Sequence, residues 1–396
     1  MNKRFQRVFL DYASTTPVDK RVFNKMKPFF DLNFGNPSAV YNEGLIANEA
    51  LLGSRNTIAR ICGVKNHEVI FTSSGTEANN LIILGSINGR KISKKERPKE
   101  IMISEIEHPS LIEPAKIIQN EKLAKVHILE VKEDGIINLE QFSKKLNKNI
   151  FLISVILANN EIGVINPLRE IGSIVKKFKN KLGRSFDEPP FIHTDASQAP
   201  NFMDISLDRL SVHAMTIDAS KIYGPKGAGC LIKKSYVPIS PLMYGGGQEF
   251  NLRPGTENVA NIVGLAEALR ISQLEKDKFS ARMLKLQNHF LSSIKNKFPS
   301  AIINGSLKNR LPNNVNVCFK NLNSEFAVIQ LDEKGLSCSA TTSCKGLSDD
   351  VSSYVVKALH KKDQVDCSKS SLRFTMGRKT TKKEIDFAIK VLFDII

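Results

Sequence analysis

Ala214-Met-Thr-Ile-Asp218-Ala-Ser-Lys221-Ile-Tyr-Gly-Pro-Lys-Gly-Ala-Gly229-Cys-Leu-Ile-Lys233 is the segment from which the fold class can be argued. A β-rich run ends at Asp218, a rigid Gly/Pro turn follows Lys221, and a second β-rich run starts at Gly229. A lysine at the carboxyl edge of a sheet can reach a crevice and act there as a nucleophilic amine. Taken alone, the commoner interpretation is a surface lysine beside a turn.

On either side of this segment, from about residue 45 to 235, short β-rich runs alternate with helical stretches. Strands are expected at 68–72, 101–104, 125–131, 151–158, 191–194, 214–218 and 229–233, and helices at 44–62, 77–88 and 168–179. Seven strands with crossovers of this length imply a mostly parallel, doubly wound α/β sheet covered by helices on both faces. The glycine-rich Tyr244-Gly-Gly-Gly-Gln-Glu249 cannot be a regular helix and is expected to form a functional loop. Beyond it come a long helical pattern at 259–298, a strand at 313–319, a helix at 324–334, a strand at 372–376 and a last helix from 382. The expected division is a large domain over 17–262 and a smaller C-terminal α/β domain over 263–396 joined by the N-terminal 1–16.

Of 396 residues, 41% are hydrophobic and 24% charged, which excludes a disordered or collagenous chain. The longest apolar run, 150–158, is half of the ~18 residues needed to cross a bilayer, so no membrane span is expected. Asp11 interrupts the basic start before a signal-peptide apolar segment develops, which points to the cytoplasm. Six cysteines without a CxxC pair fit reduced thiols better than a disulfide framework or a zinc site. The +17 formal charge is spread over short lysine clusters not interleaved with aromatics, so a solvated face is preferred to a nucleic-acid surface. Direct nucleic-acid binding is not expected, although a tRNA-binding role would reveal itself by a steep salt dependence.

Phe71-Thr-Ser-Ser-Gly75-Thr76-Glu77 reads as strand, loop and helix start, an arrangement that aims backbone N–H groups at a phosphate and that also suits a plain N-cap. His193-Thr-Asp195-Ala-Ser-Gln198 puts an acid just past a strand end, where it can pair with a protonated heteroaromatic nitrogen or cap a helix. Lysine, acid and phosphate loop on one sheet together meet the needs of pyridoxal phosphate: a Schiff-base amine, a pyridinium partner and an anion cradle.

These motifs resemble the NifS/IscS-type cysteine desulfurases, members of the class-V aminotransferases with the type I pyridoxal-phosphate transferase fold. The resemblance runs nearly end to end. It passes through Leu10-Asp-Tyr-Ala-Ser-Thr-Thr-Pro17, Phe34-Gly-Asn-Pro37, Phe71–Glu77, Glu107-His108 and Asn159-Asn-Glu-Ile-Gly163. It continues in Asp195–Gln198, Lys221–Gly227, Arg253-Pro-Gly-Thr-Glu-Asn258 and Ser371-Leu-Arg-Phe-Thr-Met-Gly-Arg378.

The resemblance implies that Lys221 holds the cofactor and shuttles protons at the substrate Cα, while Asp195 keeps the pyridine nitrogen protonated. His108 would stack on the ring and serve as acid/base, and Gln198 and Asn160 would contact its phenolic oxygen and the substrate side. Gly75, Thr76 and Ser220 would hold the phosphate, reached from a partner subunit by Thr256, so a homodimer is implied. Arg373, helped by Asn36, would clamp the substrate carboxylate.

Cys344, in Gly335-Leu-Ser-Cys338-Ser-Ala-Thr-Thr-Ser-Cys344-Lys345, lines up with the family's nucleophilic cysteine, and Lys345 favours its thiolate. Cys338 is the competitor for that role, and the other cysteines read as packed thiols. The implied reaction takes L-cysteine to alanine, leaves a persulfide on Cys344, and passes sulfur to an iron–sulfur scaffold or a tRNA-thiolation enzyme. No resident metal is implied beyond a transient iron–sulfur contact through Cys344.

Three departures qualify this picture. Asp218 and Ser220 replace the serine and histidine that flank the phosphate in the family, and a carboxylate beside a phosphate is repelled, so Asp218 is expected to turn away or pair with a base. Thr341 and Thr342 stand where glycine and serine are common, which stiffens the loop. No residues follow Ile396 to supply the C-terminal extension by which some relatives dock a scaffold, so docking of that kind is not expected. A selenocysteine lyase and a catalytically impaired dimer acting as a scaffold are the alternative functions.

Overall fold

The computed structural model describes residues 7–87, 100–340, 352–361 and 366–396. Thr341, Thr342, Cys344 and Lys345 lie outside them. The large sheet has seven strands: β1 (Val69–Thr72), β2 (Glu100–Ser104), β3 (Lys125–Leu129), β4 (Ile150–Ser154), β5 (Phe191–Asp195), β6 (Ala214–Asp218) and β7 (Gly229–Lys233). Their spatial order is β1-β7-β6-β5-β4-β2-β3, and only β7 runs against the others. This is the mostly parallel α/β sheet expected from the alternating pattern. All five residues of β4 are buried, as a continuous apolar run requires when helices cover both faces of a sheet.

Because the other strands are mutually parallel, Thr72, Ser104, Ser154, Asp195 and Asp218 all end at one edge, the place where open α/β sheets bind ligands. Gly229 faces Asp218 across the β6–β7 pair, and a Cβ there would sit 2.5 Å from the Ser74 carbonyl carbon. Glycine thereby lets the phosphate-type loop, which opens α1 (Gly75–Ile87), settle onto the sheet edge.

A second sheet pairs Ser371–Thr375 with Asn314–Cys318 and the latter with Ile302–Ile303, all antiparallel. The helix Val259–Lys297 links the two cores. Its Ile262, Leu265 and Leu269 pack into the large-sheet core, and Phe279, Met283, Phe290 and Ile294 into the second. The N-terminal Val8–Phe9 runs parallel to Leu336–Ser337, and Val8 and Leu10 join that second core.

One expectation fails here. Cys318 and Cys367 form a disulfide with a Cα–Cα separation of 5.4 Å, whereas the scattered spacing suggested thiols throughout. The pairing of Cys318 with Ser371, whose hydroxyl bonds the Cys367 carbonyl, brings the two together through sheet register that linear spacing does not reveal. Cys62, Cys230 and Cys338 are buried free thiols. Among the described residues no helix is long and apolar enough to cross a membrane.

Candidate active site

Lys221 leaves β6 through a single tight turn, and its Nζ donates to the carbonyl of Ser14. Thr16 fastens the N-terminal segment there, its N–H and hydroxyl both meeting the Ser220 carbonyl at 2.8 Å. Asp195, at the end of β5, is buried and accepts from Asn79 Nδ2 at 2.8 Å and from the Ser197 N–H at 2.9 Å. This acid closes a turn through the Ser197 N–H, with the next helix starting only at Leu207, and it lines the pocket with Lys221 and His108.

No motif in the sequence marks Asn79, yet its amide also donates to Ser110 Oγ at 2.9 Å. Ser110 in turn meets His108 Nδ1 through its hydroxyl (2.8 Å) and its N–H (3.2 Å). A backbone N–H on Nδ1 makes that nitrogen the acceptor, so the ring proton of neutral His108 is on Nε2. Burial holds His108 below the usual imidazole range, opposed by the charge of Asp195. The only hint of Asn79 in the sequence is a polar residue on the inward face of an apolar helix. Beneath Asp195, burial lowers His193 to about 4, and its ring nitrogens meet Ser154 and Thr216 hydroxyls, so it is a satisfied neutral core residue.

Glu107 is fully buried and accepts from the Ile156 N–H at 2.6 Å. Burial, reinforced by the charge of Asp195, pushes its carboxyl up to about 8. The folded chain thus keeps a proton that the unfolded chain loses in the ordinary carboxylate range. The resulting stabilisation is complete below that range and disappears as pH rises through about 8. Thermal unfolding followed against pH should show this decline in the wild type and a flatter profile in Glu107→Gln; parallel profiles would count against a protonated Glu107.

At the anion end Asp218 does not turn away. Its Oδ2 accepts from the Gly75 N–H at 2.9 Å, and its Oδ1 accepts from the Ser220 N–H at 2.8 Å and hydroxyl at 2.7 Å. The expectation treated phosphate as the anion of this loop, but the positive end of α1 attracts any nearby anion, and the nearest is the carboxylate of the chain itself. Thr76 also lines this end of the pocket.

Arg373, 1% exposed, reaches the same pocket from the second sheet. Its Nη2 donates to Asp11 at 2.6 Å and its Nη1 to the Asn160 carbonyl at 3.2 Å, while the buried Nε has no partner among the described residues. Asn160 and Gln198 line the pocket too, Gln198 holding the Ala13 carbonyl at 3.0 Å. Ser220 does not line it, and neither do Asn36 and Thr256. Both are exposed, and Asn36 Oδ1 accepts from the Ser38 N–H. Cys338 is 8% exposed and burial pushes its thiol far up, which makes it a poor nucleophile.

A family model, "Aminotransferase class-V", matches residues 8–387. A cysteine desulfurase IscS of Dictyoglomus turgidum is 36% identical over 392 residues, covering 99% of this chain and 95% of that protein. A solved structure described as a NifS-like protein superimposes with a TM-score of 0.88 at 32% identity, over 98% of this chain and 99% of the other. Another, SspA in complex with cysteine, gives a TM-score of 0.76 at 29% identity, over 93% and 98%.

The chain belongs to the class-V aminotransferases, in their NifS/IscS type.

Enzymes of the NifS/IscS type depend on pyridoxal phosphate, and the donor set of this pocket fits its ring: an amine at Lys221, a buried carboxylate at Asp195 and an imidazole at His108. The phosphate end fits less simply. A Cβ placed on Gly75 would lie 3.2 Å from Asp218 Cβ and 3.4 Å from Ser197 Oγ, so the cradle is tight, and its Gly75 N–H is engaged by Asp218.

Proposed function

We propose that this chain is a pyridoxal-phosphate-dependent L-cysteine desulfurase that carries sulfur away on Cys344. The observation behind this is the convergence of Lys221, Asp195, His108 and Arg373 on one pocket at the carboxyl edge of the sheet. Bound pyridoxal phosphate supplies an electron sink for the substrate Cα. Asp195, oriented by Asn79 and Ser197, would hold the protonated ring nitrogen. Lys221 would take the proton from the substrate Cα, and neutral His108, with its proton on Nε2, would hold the ring and serve as acid/base.

Arg373 receives the substrate carboxylate through the guanidinium side chain that lines the pocket. Arg373→Lys, which keeps the charge and loses the fork, should raise KM for L-cysteine by roughly 10- to 100-fold with a smaller change in kcat. A steady-state titration with L-cysteine measures it, and an unchanged KM would remove Arg373 from substrate binding.

Cys344 is assigned from its place in the sequence. The described chain on its N-terminal side supports the assignment: Ser339 exchanges both backbone hydrogen bonds with the pocket-lining Arg373, at 2.7 and 3.1 Å. Its thiolate attacks the substrate sulfur. A sulfur–sulfur bond forms, the carbon–sulfur bond breaks, and the carbon skeleton takes up a proton and leaves as alanine. The acceptor is an iron–sulfur scaffold or a tRNA-thiolation enzyme. In this arrangement 17–262 holds the cofactor, and 263–396 with 1–16 carries Arg373 and Cys344.

We further infer a homodimer in the cytoplasm. Leu32, Phe34, Val40 and Tyr41 are each at least 60% exposed within ten residues of chain, a concentration of apolar surface that a second copy would cover. Exposed Asn36 lies in this stretch, and exposed Thr256 is free to serve a neighbouring pocket. A thiol that must stay reduced suits the cytoplasm, against which only the buried Cys318–Cys367 bridge weighs. Sulfide and alanine release from L-cysteine by wild type, Lys221→Ala and Cys344→Ser tests the whole assignment.

A further inference from the structure

At the anion end of the pocket, which Gly75, Thr76 and Asp218 line, one hydrogen-bond donor is the Gly75 N–H that opens α1, and beside it, outside the pocket lining, are the N–H and hydroxyl of Ser220. Asp218 accepts from all three, at 2.7 to 2.9 Å, with both of its oxygens used. A carboxylate sitting where three converging donors meet is an anion already bound. A phosphate at this end would need the Gly75 N–H together with Thr76, and it cannot share the Gly75 donor with Asp218, because each donor serves one acceptor well and the negative charges repel at contact distance. The chain holds the residue that carries this carboxylate firmly in place. Its backbone is fixed on both sides by β6–β7 pairing at Gly229 and by the Ala219 N–H to the Ala228 carbonyl.

Resting on the assignment of this pocket to pyridoxal phosphate, we propose that Asp218 is an internal occupant of the phosphate cradle, so that the 5′-phosphate contributes little to the affinity of the cofactor. The ring end, with Lys221, Asp195 and His108, then provides most of the binding. The phosphate gains the cradle only by displacing Asp218, and the cofactor exchanges readily. The ligand-free protein is correspondingly self-satisfied at this edge, with the α1 N-terminus and Ser220 already paired.

The test compares pyridoxal phosphate with pyridoxal, which lacks only the phosphate, on cofactor-free full-length protein. Dissociation constants come from the visible absorbance of the lysine-bound aldehyde. In the wild type the two constants should lie within about tenfold of each other. Asp218→Ser should raise their ratio by at least about tenfold, through tighter binding of pyridoxal phosphate alone. Asp218→Asn removes the charge at constant shape and should move the ratio the same way, which keeps the test valid should the serine variant fold poorly. Inorganic phosphate should raise the melting temperature of ligand-free Asp218→Ser and leave that of the wild type unchanged.

A ratio that is the same in all three proteins, or that changes through pyridoxal, would overturn the role of Asp218. Absence of any visible band with either aldehyde, in wild type and in both variants, would instead overturn the assignment of the pocket itself. Lys221→Ala is the control that should show no band.

Discussion

Lys221→Ala should lose L-cysteine turnover by about 10³-fold or more and lose the visible absorbance of the bound cofactor entirely. No other amine replaces it: among the residues lining the pocket Lys221 is the only lysine. The loss should be chemical rather than structural. Deleting the side chain removes one donor from the Ser14 carbonyl, a cost of about 1–3 kcal/mol at most, small against the core of two packed sheets. Absorbance spectra, alanine release and a melting curve separate the two effects. A folded variant that retained turnover would remove Lys221 from the chemistry.

Cys344→Ser should leave the cofactor spectrum and L-cysteine binding intact while alanine release falls by about 10²-fold or more, because a hydroxyl at neutral pH is a far weaker nucleophile toward sulfur than a thiolate. Cys338→Ser supplies the contrast. Cys338 is buried, and its thiol is held protonated by that burial, so its replacement should cost stability and not sulfur transfer. Activity that survived Cys344→Ser and vanished in Cys338→Ser would reverse the assignment.

How much of this is legible in the sequence depends on the kind of information each element carries. The strands at 214–218 and 229–233 are found at the expected residues, because β-rich runs bounded by a Gly/Pro turn leave little choice of register. The expected strand at 151–158 instead ends at Ser154, although Val155 to Ala158 remain buried and the Val155 and Leu157 N–H groups still bond β5 carbonyls. Apolar pattern reports burial, and burial outlasts the ladder.

The helix Pro109–Asn120 is not among those the sequence suggests, since Pro114 lies inside it. Proline removes the bond to the Ser110 carbonyl, and the structure replaces it with the Asn80 amide at 3.3 Å. That compensation comes from another helix and leaves no trace in the local sequence.

The site divides in the same way. Lys221, Asp195, His108 and Arg373 sit at strand ends or in short motifs, so their convergence can be anticipated once the strands are placed. Asn79, which supports both Asp195 and Ser110, reveals itself only in three dimensions. Asn36 and Thr256 stand outside the pocket of a single chain, and both are exposed. For Asp218 the repulsion argument holds for a phosphate-loaded pocket, but the helix terminus acts on whichever anion is nearest, and here that is the chain's own carboxylate.

The most direct measurement is the mass of the Cys344-containing peptide after a single turnover with L-cysteine and no acceptor. The peptide should gain the mass of one sulfur atom, in proportion to the alanine released, and the gain should be removed by a reductant. Alanine formed with the added sulfur on Cys338, or on no cysteine of the chain, would contradict the account.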